Sequence, residues 1–447
     1  MKNIAVTVNA AEAGPQIKPL HGINNAPIIG TSDLLFHFLG EAGIPSSRLH
    51  DTGGRYGGGC FVDIENIFRN FDADPEDPAS YDFAFTDWLL TQLHEQGVEP
   101  FYRLGATIEN SHYIKAYHIF PPKDNLQWAK ICEGIIRHYN EGWADGFQFG
   151  IRYWEIWNEP ENSPDIDENP MWKGTKEQYF QLYEVTSNYL KKRFPHLKIG
   201  GYAGCGFYAL TSAKAIGMAN TSPRVQSFVT FFKEFLDYIS SPEHKSPLDF
   251  FSWHSYAFIS ETLTHARFAR ETLDQYGFSQ TESILNEWNP GIAYRGETED
   301  ASRILAVMCA FQNSSVDRMN YYDGQVNGSY CGMFDPVKLD VFPAYYAFPA
   351  FDRLYRLGTQ IGLSSSAGEE EMQALAATDG KGTGAVLLIN LQPETVAVGL
   401  QISGLDGTRS YRSIDSSHLL EEMKPQLDGE GRLLLPPHSV LLVEIQS

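Results

Sequence analysis

The sequence has few cysteines and no long uninterrupted hydrophobic run. Its five cysteines are widely spaced and show no metal-ligand pairing, which predicts reduced thiols rather than a disulfide framework. No apolar run reaches the length of a membrane span, and the first residues carry no apolar leader segment. These absences predict a cytoplasmic protein with no membrane partner.

Positive charge is also scarce. Lysine and arginine number 34 against 56 aspartates and glutamates, and the formal net charge is −22. Because nothing would offset phosphate repulsion, this balance argues against nucleic acid as a partner. The Gly-rich stretch 53–59 lacks the spacing of a dinucleotide or nucleotide loop, so no such cofactor is predicted. Aromatic residues, in contrast, make up 13% of the chain, and tyrosine and tryptophan often line sugar or peptide clefts.

Short strand-like runs alternate with helix-like segments through most of the chain. Eight such alternations predict a (β/α)8 TIM barrel over residues 18–356. An open, doubly wound sheet is the alternative, and the missing phosphate loop disfavours it. The predicted strands lie at 21–24, 47–51, 100–104, 153–158, 198–202, 249–254, 283–286 and 318–322.

The last part of the chain has a different pattern. Residues 357–447 read as short alternating strands separated by turn residues, which predicts a C-terminal antiparallel β-sandwich domain. An alternating strand within residues 1–17 is expected to pack back on this sandwich. Few aromatic residues lie in its loops, so a structural brace is favoured over a sugar-binding unit.

Two glutamates follow predicted barrel strands in similar settings. Glu159 lies in a Trp-Asn-Glu-Pro motif (157–160) after the fourth strand, and Glu287 ends the seventh, just before Trp288. Catalytic groups of such barrels lie at the carboxyl ends of strands. Two carboxylates flanking a substrate are what glycoside hydrolysis requires. A structural ion pair is the alternative for either glutamate, but the matched aromatic settings favour one catalytic site.

These motifs carry a family resemblance. Tyr-Trp-Glu-Ile-Trp-Asn-Glu-Pro (153–160), with Glu287, resembles the retaining glycoside hydrolases of clan A. Within the clan, the chain is similar to glycoside hydrolase family 39, the β-xylosidases and α-L-iduronidases. This second likeness rests on Lys-Ile-Gly-Gly (198–201), Asp-Phe-Phe-Ser-Trp-His (249–254) and Ala-Tyr-Tyr-Ala-Phe (344–348).

The resemblance implies an exo-acting, β-D-xylosidase-like enzyme that cleaves a glycoside or oligosaccharide by double displacement with retention. Glu159 would act as acid and then base, and Glu287 as nucleophile, with no cofactor. Their carboxyl groups should lie about 5–5.5 Å apart. Relatives in the family are often oligomeric, so the resemblance also implies self-association.

Other strand-end residues are candidate substrate ligands. Arg48 is expected to keep Glu287 charged, and Asn158 to bind the sugar 2-hydroxyl. His50, His254, Tyr256 and Trp288 are predicted substrate contacts, with buried packing as the alternative for each. Weaker candidates are His21, Asn24, Trp253, Tyr322 and Asp323. Buried Glu155 is expected to pair with Arg103 as a structural contact.

Several questions stay open at the level of sequence. No short metal-ligand spacing links His21, His50, His254 and Glu287, so no metal is predicted. The sugar could instead be galactosyl, arabinosyl, glucosyl or iduronosyl. An iduronidase needs cations that read the sugar carboxylate, for which the candidates are Arg48, Arg55, Arg103, Lys115 and Arg295.

Two other classes of protein are alternatives. A non-catalytic carbohydrate-binding protein is disfavoured because both glutamates are present. A cellulase-like endo-enzyme would need an open groove, whereas the long loops at 52–80, 105–123 and 203–222 favour a closed pocket.

Overall fold

The computed structural model describes residues 1–30, 32–52, 61–108, 118–326 and 332–446. Within them, eight parallel strands close into a barrel whose order follows the sequence. The strands are short and buried, as expected for a sheet covered on both faces. This confirms the predicted barrel and its eight strands. They are β2 (Gly22–Asn24), β3 (Ser46–Leu49), β4 (Glu99–Leu104), β5 (Tyr153–Ile156), β6 (Lys198–Gly204), β7 (Phe250–His254), β8 (Glu282–Trp288) and β9 (Arg318–Tyr321).

Helices fill the connections between the strands. The helix Lys176–Arg193 begins with a capping box: the Thr175 hydroxyl accepts from the Gln178 amide, and the Gln178 side chain accepts from the Thr175 amide. No helix in the described ranges is long and apolar enough to span a membrane. The helices are α1 (His37–Glu41), α2 (Ile64–Ile67), α3 (Ala84–Glu95), α4 (Asn125–Asn140), α5 (Lys176–Arg193), α6 (Pro223–Ser240), α7 (Ile259–Gln275), α8 (Thr298–Phe311) and α9 (Ala347–Leu357).

Both ends of the chain build a second, nine-stranded sheet. Its first strand, β1 (Lys2–Gln16), comes from the N-terminus. The others follow the barrel: β12 (Thr359–Ser365), β13 (Met372–Thr378), β14 (Gly384–Asn390), β15 (Val396–Ser403), β16 (Thr408–Asp415), β17 (His418–Glu422), β18 (Leu433–Leu435) and β19 (Val440–Gln446). A small hairpin, β10 (Phe334–Asp335) with β11 (Asp340–Val341), lies before α9.

This sheet is mixed rather than purely antiparallel. Strand β1 lies between β12 and β15, antiparallel to the first and parallel to the second. The C-terminal β-domain is therefore confirmed, with this one change in strand direction. The division into 1–17, 18–356 and 357–447 stays a prediction.

Alternate side chains of the sheet enter two different cores. On β14, Val386 and Leu388 pack with Ile4 of β1 inside the sheet domain. The intervening Leu387 belongs to the large core of the barrel. Because side chains alternate along a strand, β14 is buried on both faces and joins the sheet to helices α8 and α9.

Candidate active site

Four barrel strands bring polar side chains to one mouth of the barrel. Arg48 lies near the end of β3, Glu159 just beyond β5, His254 at the end of β7 and Glu287 near the end of β8. All strands are parallel, so their carboxyl ends meet at the same edge. These side chains are in direct contact there.

Glu287 is held by two donors. Arg48 Nη1 donates to Glu287 Oε1 at 2.8 Å, and the Tyr256 hydroxyl donates to Oε2 at 2.8 Å. The Arg48 side chain is fully buried. Burial lowers the pKa of Arg48, but the charges of Glu155 and Glu287 outweigh it and the net direction is upward. A permanent cation therefore lies against the Glu287 carboxylate.

Glu159 has a different environment. Its Oε2 accepts from Asn162 Nδ2 at 2.6 Å, and its Oε1 lies 2.7 Å from His254 Nδ1. Burial raises the pKa of Glu159, while the hydrogen bond and charge of His254 and the bond from Asn162 lower it. The net direction of the pKa is below the ordinary value. The hydrogen bonds to the two glutamates thus come from different residues.

His254 lies between the two carboxylates. Its Nδ1 is 2.7 Å from Glu159 Oε1 and 3.4 Å from Glu287 Oε2. One carboxylate oxygen of each glutamate and a ring nitrogen of His254 lie within 4.8 Å of one another. These atoms could hold a metal ion, but Arg48 already supplies a cation to Glu287. The arrangement suits proton transfer and nucleophilic attack better than metal binding.

Asn158 is fixed by the same arginine. Arg48 Nη2 donates to Asn158 Oδ1 at 2.6 Å, which leaves the amide nitrogen as the group able to donate to a ligand. Arg48 Nε donates to Glu155 Oε2 at 2.8 Å. The predicted Glu155–Arg103 pair is therefore wrong. Although these two residues are register partners in β4 and β5, Arg103 instead donates to Asp63 Oδ1 at 2.6 Å.

His50 lies beside this cluster. Arg103 Nε donates to His50 Nδ1 at 3.3 Å, which places the proton of a neutral ring on Nε2. Burial, then the charges of Arg48 and Arg103, lower the pKa of His50 well below its usual range. The ring is therefore a neutral donor at physiological pH.

Trp288 is buried against another aromatic residue. It is 2% exposed, and its ring packs edge-on against Tyr321 at 5.5 Å between centroids. Its substrate contact stays a prediction. His21 Nε2 contacts the Gly43 carbonyl and the ring packs on Tyr355, so the structure separates it from the cluster. Arg55 and Lys115 lie outside the described residues.

Sequence reasoning missed three residues near the pair. Asp51 accepts from the Tyr322 hydroxyl at 2.7 Å, and Asn162 orients Glu159. Glu161 Oε1 accepts from the Cys205 amide at 2.7 Å, and burial raises the pKa of Glu161 to about 8. A polar residue directly after a strand end was the available signal for Asp51. No local pattern marks the other two.

The chain is similar to known proteins over both of its parts. The family model "Glycosyl hydrolases family 39" matches residues 56–313. The model "D-apionate lactonase, C-terminal immunoglobulin-like domain" matches residues 369–443, within the second sheet. The chain is 28% identical over 212 residues to a beta-xylosidase of Geobacillus stearothermophilus. That match spans 45% of this chain and 35% of the relative, so it reaches about a third of the relative's length.

Solved structures share the whole architecture. A glucosidase from Croceicoccus marinus superposes with a TM-score of 0.79 at 20% identity, covering 100% of this chain and 99% of that chain. A monomeric beta-xylosidase from Caulobacter crescentus CB15 gives a TM-score of 0.69 at 17% identity, covering 99% of each chain. At these identities the structural likeness shows the fold. The family model, which matches more than half of the chain, shows that the protein belongs to glycosyl hydrolases family 39.

Proposed function

We propose that the protein is a retaining, exo-acting glycoside hydrolase of the β-D-xylosidase type. The observation that carries the proposal is the facing pair Glu159 and Glu287, with carboxylate oxygens within 4.8 Å of one another. Retaining glycosidases place the two carboxyl groups about 5–5.5 Å apart, and inverting enzymes about 6.5–9.5 Å. The short separation leaves no room for a water behind the sugar and favours direct attack by a carboxylate.

In the first step, Glu287 attacks the anomeric carbon while Glu159 gives its proton to the leaving oxygen. Arg48 orients the Glu287 carboxylate, since its Nη1 donates to Oε1 at 2.8 Å. The free amide nitrogen of Asn158 donates to the sugar 2-hydroxyl, a contact that strengthens as charge develops in the transition state.

In the second step, Glu159 accepts a proton from water, and the oxygen of that water attacks the glycosyl–Glu287 bond at the anomeric carbon. The bond between the sugar and Glu287 breaks and its electron pair returns to the carboxylate. The Tyr256 hydroxyl, 2.8 Å from Oε2, stabilises the charge that returns. Burial raises the pKa of Tyr256, so the hydroxyl remains a donor at any physiological pH.

The sugar is proposed from the relatives. Two of them are beta-xylosidases, from Geobacillus stearothermophilus and Caldicellulosiruptor saccharolyticus, each 28% identical over the matched part. A glucosyl substrate is the second candidate because the glucosidase of Croceicoccus marinus matches the whole chain. The predicted cytoplasmic location and self-association stay predictions.

A panel of 4-nitrophenyl glycosides tests the proposal. Wild type, Glu159→Gln and Glu287→Gln are compared on xyloside, glucoside, galactoside and arabinoside. We expect the β-D-xyloside to give the highest kcat/KM, and Glu287→Gln to lose at least about 10²-fold on it because the nucleophile is removed. Glu159→Gln should lose at least about 10²-fold on xylobiose, whose poor leaving group needs the general acid. Circular dichroism checks that the variants remain folded. Activity near the wild-type value in either variant would contradict the assignment, and binding of glycosides without turnover by wild type would favour the non-catalytic alternative.

A further inference from the structure

A third carboxylate reaches the mouth of the barrel beside the catalytic pair. Asp51 follows β3, and its side chain is 18% exposed, compared with 8% for Glu287. Its Oδ2 accepts from the Tyr322 hydroxyl at 2.7 Å. Tyr322 follows β9, so the contact joins two strand ends on the same side of the mouth. Asp51 is thus held in place with its side chain partly exposed, while its Oδ1 is buried and accepts no hydrogen bond from the described residues.

Asp51 lies beside a donor of complementary character. Its Oδ1 is 3.1 Å from Nε2 of His50. The bond from Arg103 to Nδ1 makes Nε2 the protonated nitrogen of that ring. A sugar hydroxyl both donates and accepts, so a neighbouring N–H and carboxylate can bind one hydroxyl from two sides. His50 and Asp51 together therefore have the donor and the acceptor that bind a sugar hydroxyl.

Among the residues that the structure describes, the charge around Asp51 is negative. Burial raises the pKa of Asp51 to about 6, so it is ionised at neutral pH, and burial with the charge of Asp51 raises the pKa of Asp323 to about 8. In the described part of the site, Arg48 and Arg103 are the nearby cations, and both are fully buried. Arg48 is paired with Glu155 and Glu287, and Arg103 with Asp63. This side of the barrel mouth therefore presents the Asp51 carboxylate to the sugar.

We propose, on the basis of the glycosidase function above, that Asp51 determines the sugar class. Together with His50 it binds a ring hydroxyl of the sugar attacked by Glu287, and its charge rejects a sugar that carries a carboxylate. The substrate is therefore a neutral glycoside and not a uronide. A carboxylate that accepts from a hydroxyl makes a charge-assisted hydrogen bond, whereas two carboxylates at the same distance repel.

Asp51→Asn tests this because it keeps the shape and removes the charge. The substrates are 4-nitrophenyl β-D-xyloside, β-D-glucoside and β-D-glucuronide, the last two differing only at C6. We expect kcat/KM on the xyloside to fall about 10- to 100-fold, the value of one charge-assisted hydrogen bond. We expect the glucoside-to-glucuronide ratio to fall at least about tenfold, since the repulsion is removed.

Asp87→Asn is the matched control. Asp87, in α3, also accepts from a tyrosine, Tyr139 at 3.0 Å, and lies 2.8 Å from Nε2 of a histidine, His138. It should leave the substrate ratios at the wild-type values. Melting temperatures of both variants separate a loss of folding from a loss of recognition.

Two outcomes would overturn the inference. One is an Asp51→Asn enzyme whose kcat/KM on the xyloside stays within about twofold of wild type. The other is an equal loss on all three glycosides, which would assign Asp51 a structural role. A folded wild type that hydrolyses no glycoside would instead overturn the proposed function, and with it this inference, so the two failures are distinguishable.

Discussion

At the scale of single residues, Arg48 organises the site. Its guanidinium donates to the carboxylates of Glu287 and Glu155 and to the side-chain oxygen of Asn158, so one buried side chain positions all three. The sequence predicted the contact with Glu287, because both residues end strands of one barrel. It did not predict the ion pair between Arg48 and Glu155, because it assigned Glu155 to Arg103. Arg103 pairs instead with Asp63, which lies outside the strands and before α2.

His254 sets the protonation of Glu159. In His254→Phe, the hydrogen bond and the charge that lower the pKa of Glu159 disappear, and burial, which raises it, dominates. A general acid must be protonated, so a higher pKa keeps the enzyme active to higher pH. We therefore expect the alkaline limb of the kcat/KM profile to move to higher pH, while kcat/KM at its maximum falls about 10²-fold.

Tyr256→Phe is the control for this pH experiment. It removes a bond to Glu287 and leaves the contacts of Glu159 in place. Its alkaline limb should coincide with that of wild type. A limb that stays in place or moves to lower pH in His254→Phe would contradict the assigned role of the histidine.

At the scale of elements, the loop after β5 is the least predictable part of the site. Trp157 and Glu159 adopt positive φ angles of 73° and 45°, a region that large side chains rarely adopt. The Glu159 amide donates to the carbonyls of Tyr202 and Ala203, both at 3.1 Å, and the Trp157 amide donates to Leu104 at 2.8 Å. Hydrogen bonds to neighbouring strands therefore hold Trp157 and Glu159 in this backbone conformation, which the local sequence alone does not predict.

Glu161 in this loop makes stability depend on pH. Its pKa is about 8 in the folded protein against 4.5 ordinarily, so the folded state binds the proton more tightly. The contribution of Glu161 to the free energy of unfolding is fully present below about pH 4.5 and is lost as the pH rises toward 8. Glu161→Gln imitates the protonated form. We expect its free energy of unfolding to fall less over this range than that of wild type, by on the order of 5 kcal/mol for a shift from 4.5 to about 8.

Urea unfolding at a series of pH values measures this difference. Glu95→Gln, a substitution of an exposed glutamate in α3, is the control and should follow wild type. Parallel curves for Glu161→Gln and wild type would show that Glu161 is ionised in the folded protein.

At the scale of the whole molecule, the barrel and the second sheet share one core. Leu387 is fully buried in the large core, whereas Val386 and Leu388 face the core of the sheet. The alternating pattern of 357–447 predicted the strands. It did not predict that β1 would pair in parallel with β15, because that pairing depends on where the chain leaves the barrel and enters the second sheet.

The shared core predicts coupled unfolding. All eight tryptophans lie between residues 88 and 288, so their fluorescence follows the barrel, while far-ultraviolet circular dichroism follows both parts. Leu387→Ala creates a cavity and should lower stability by about 2–5 kcal/mol. We expect both signals to shift together, and Leu427→Ala, at a residue 54% exposed, to shift neither. A tryptophan transition that keeps its wild-type midpoint in Leu387→Ala would contradict the coupling.

The proposed function assigns different catalytic roles to Glu159 and Glu287. Its most direct test is the configuration of the product that azide forms with alanine variants acting on an activated β-xyloside. Glu159→Ala still forms the glycosyl-enzyme, so azide should give the β-azide, and Glu287→Ala leaves the opposite face open, so azide should give the α-azide. The same anomer from both variants, or rescue of neither, would contradict the account.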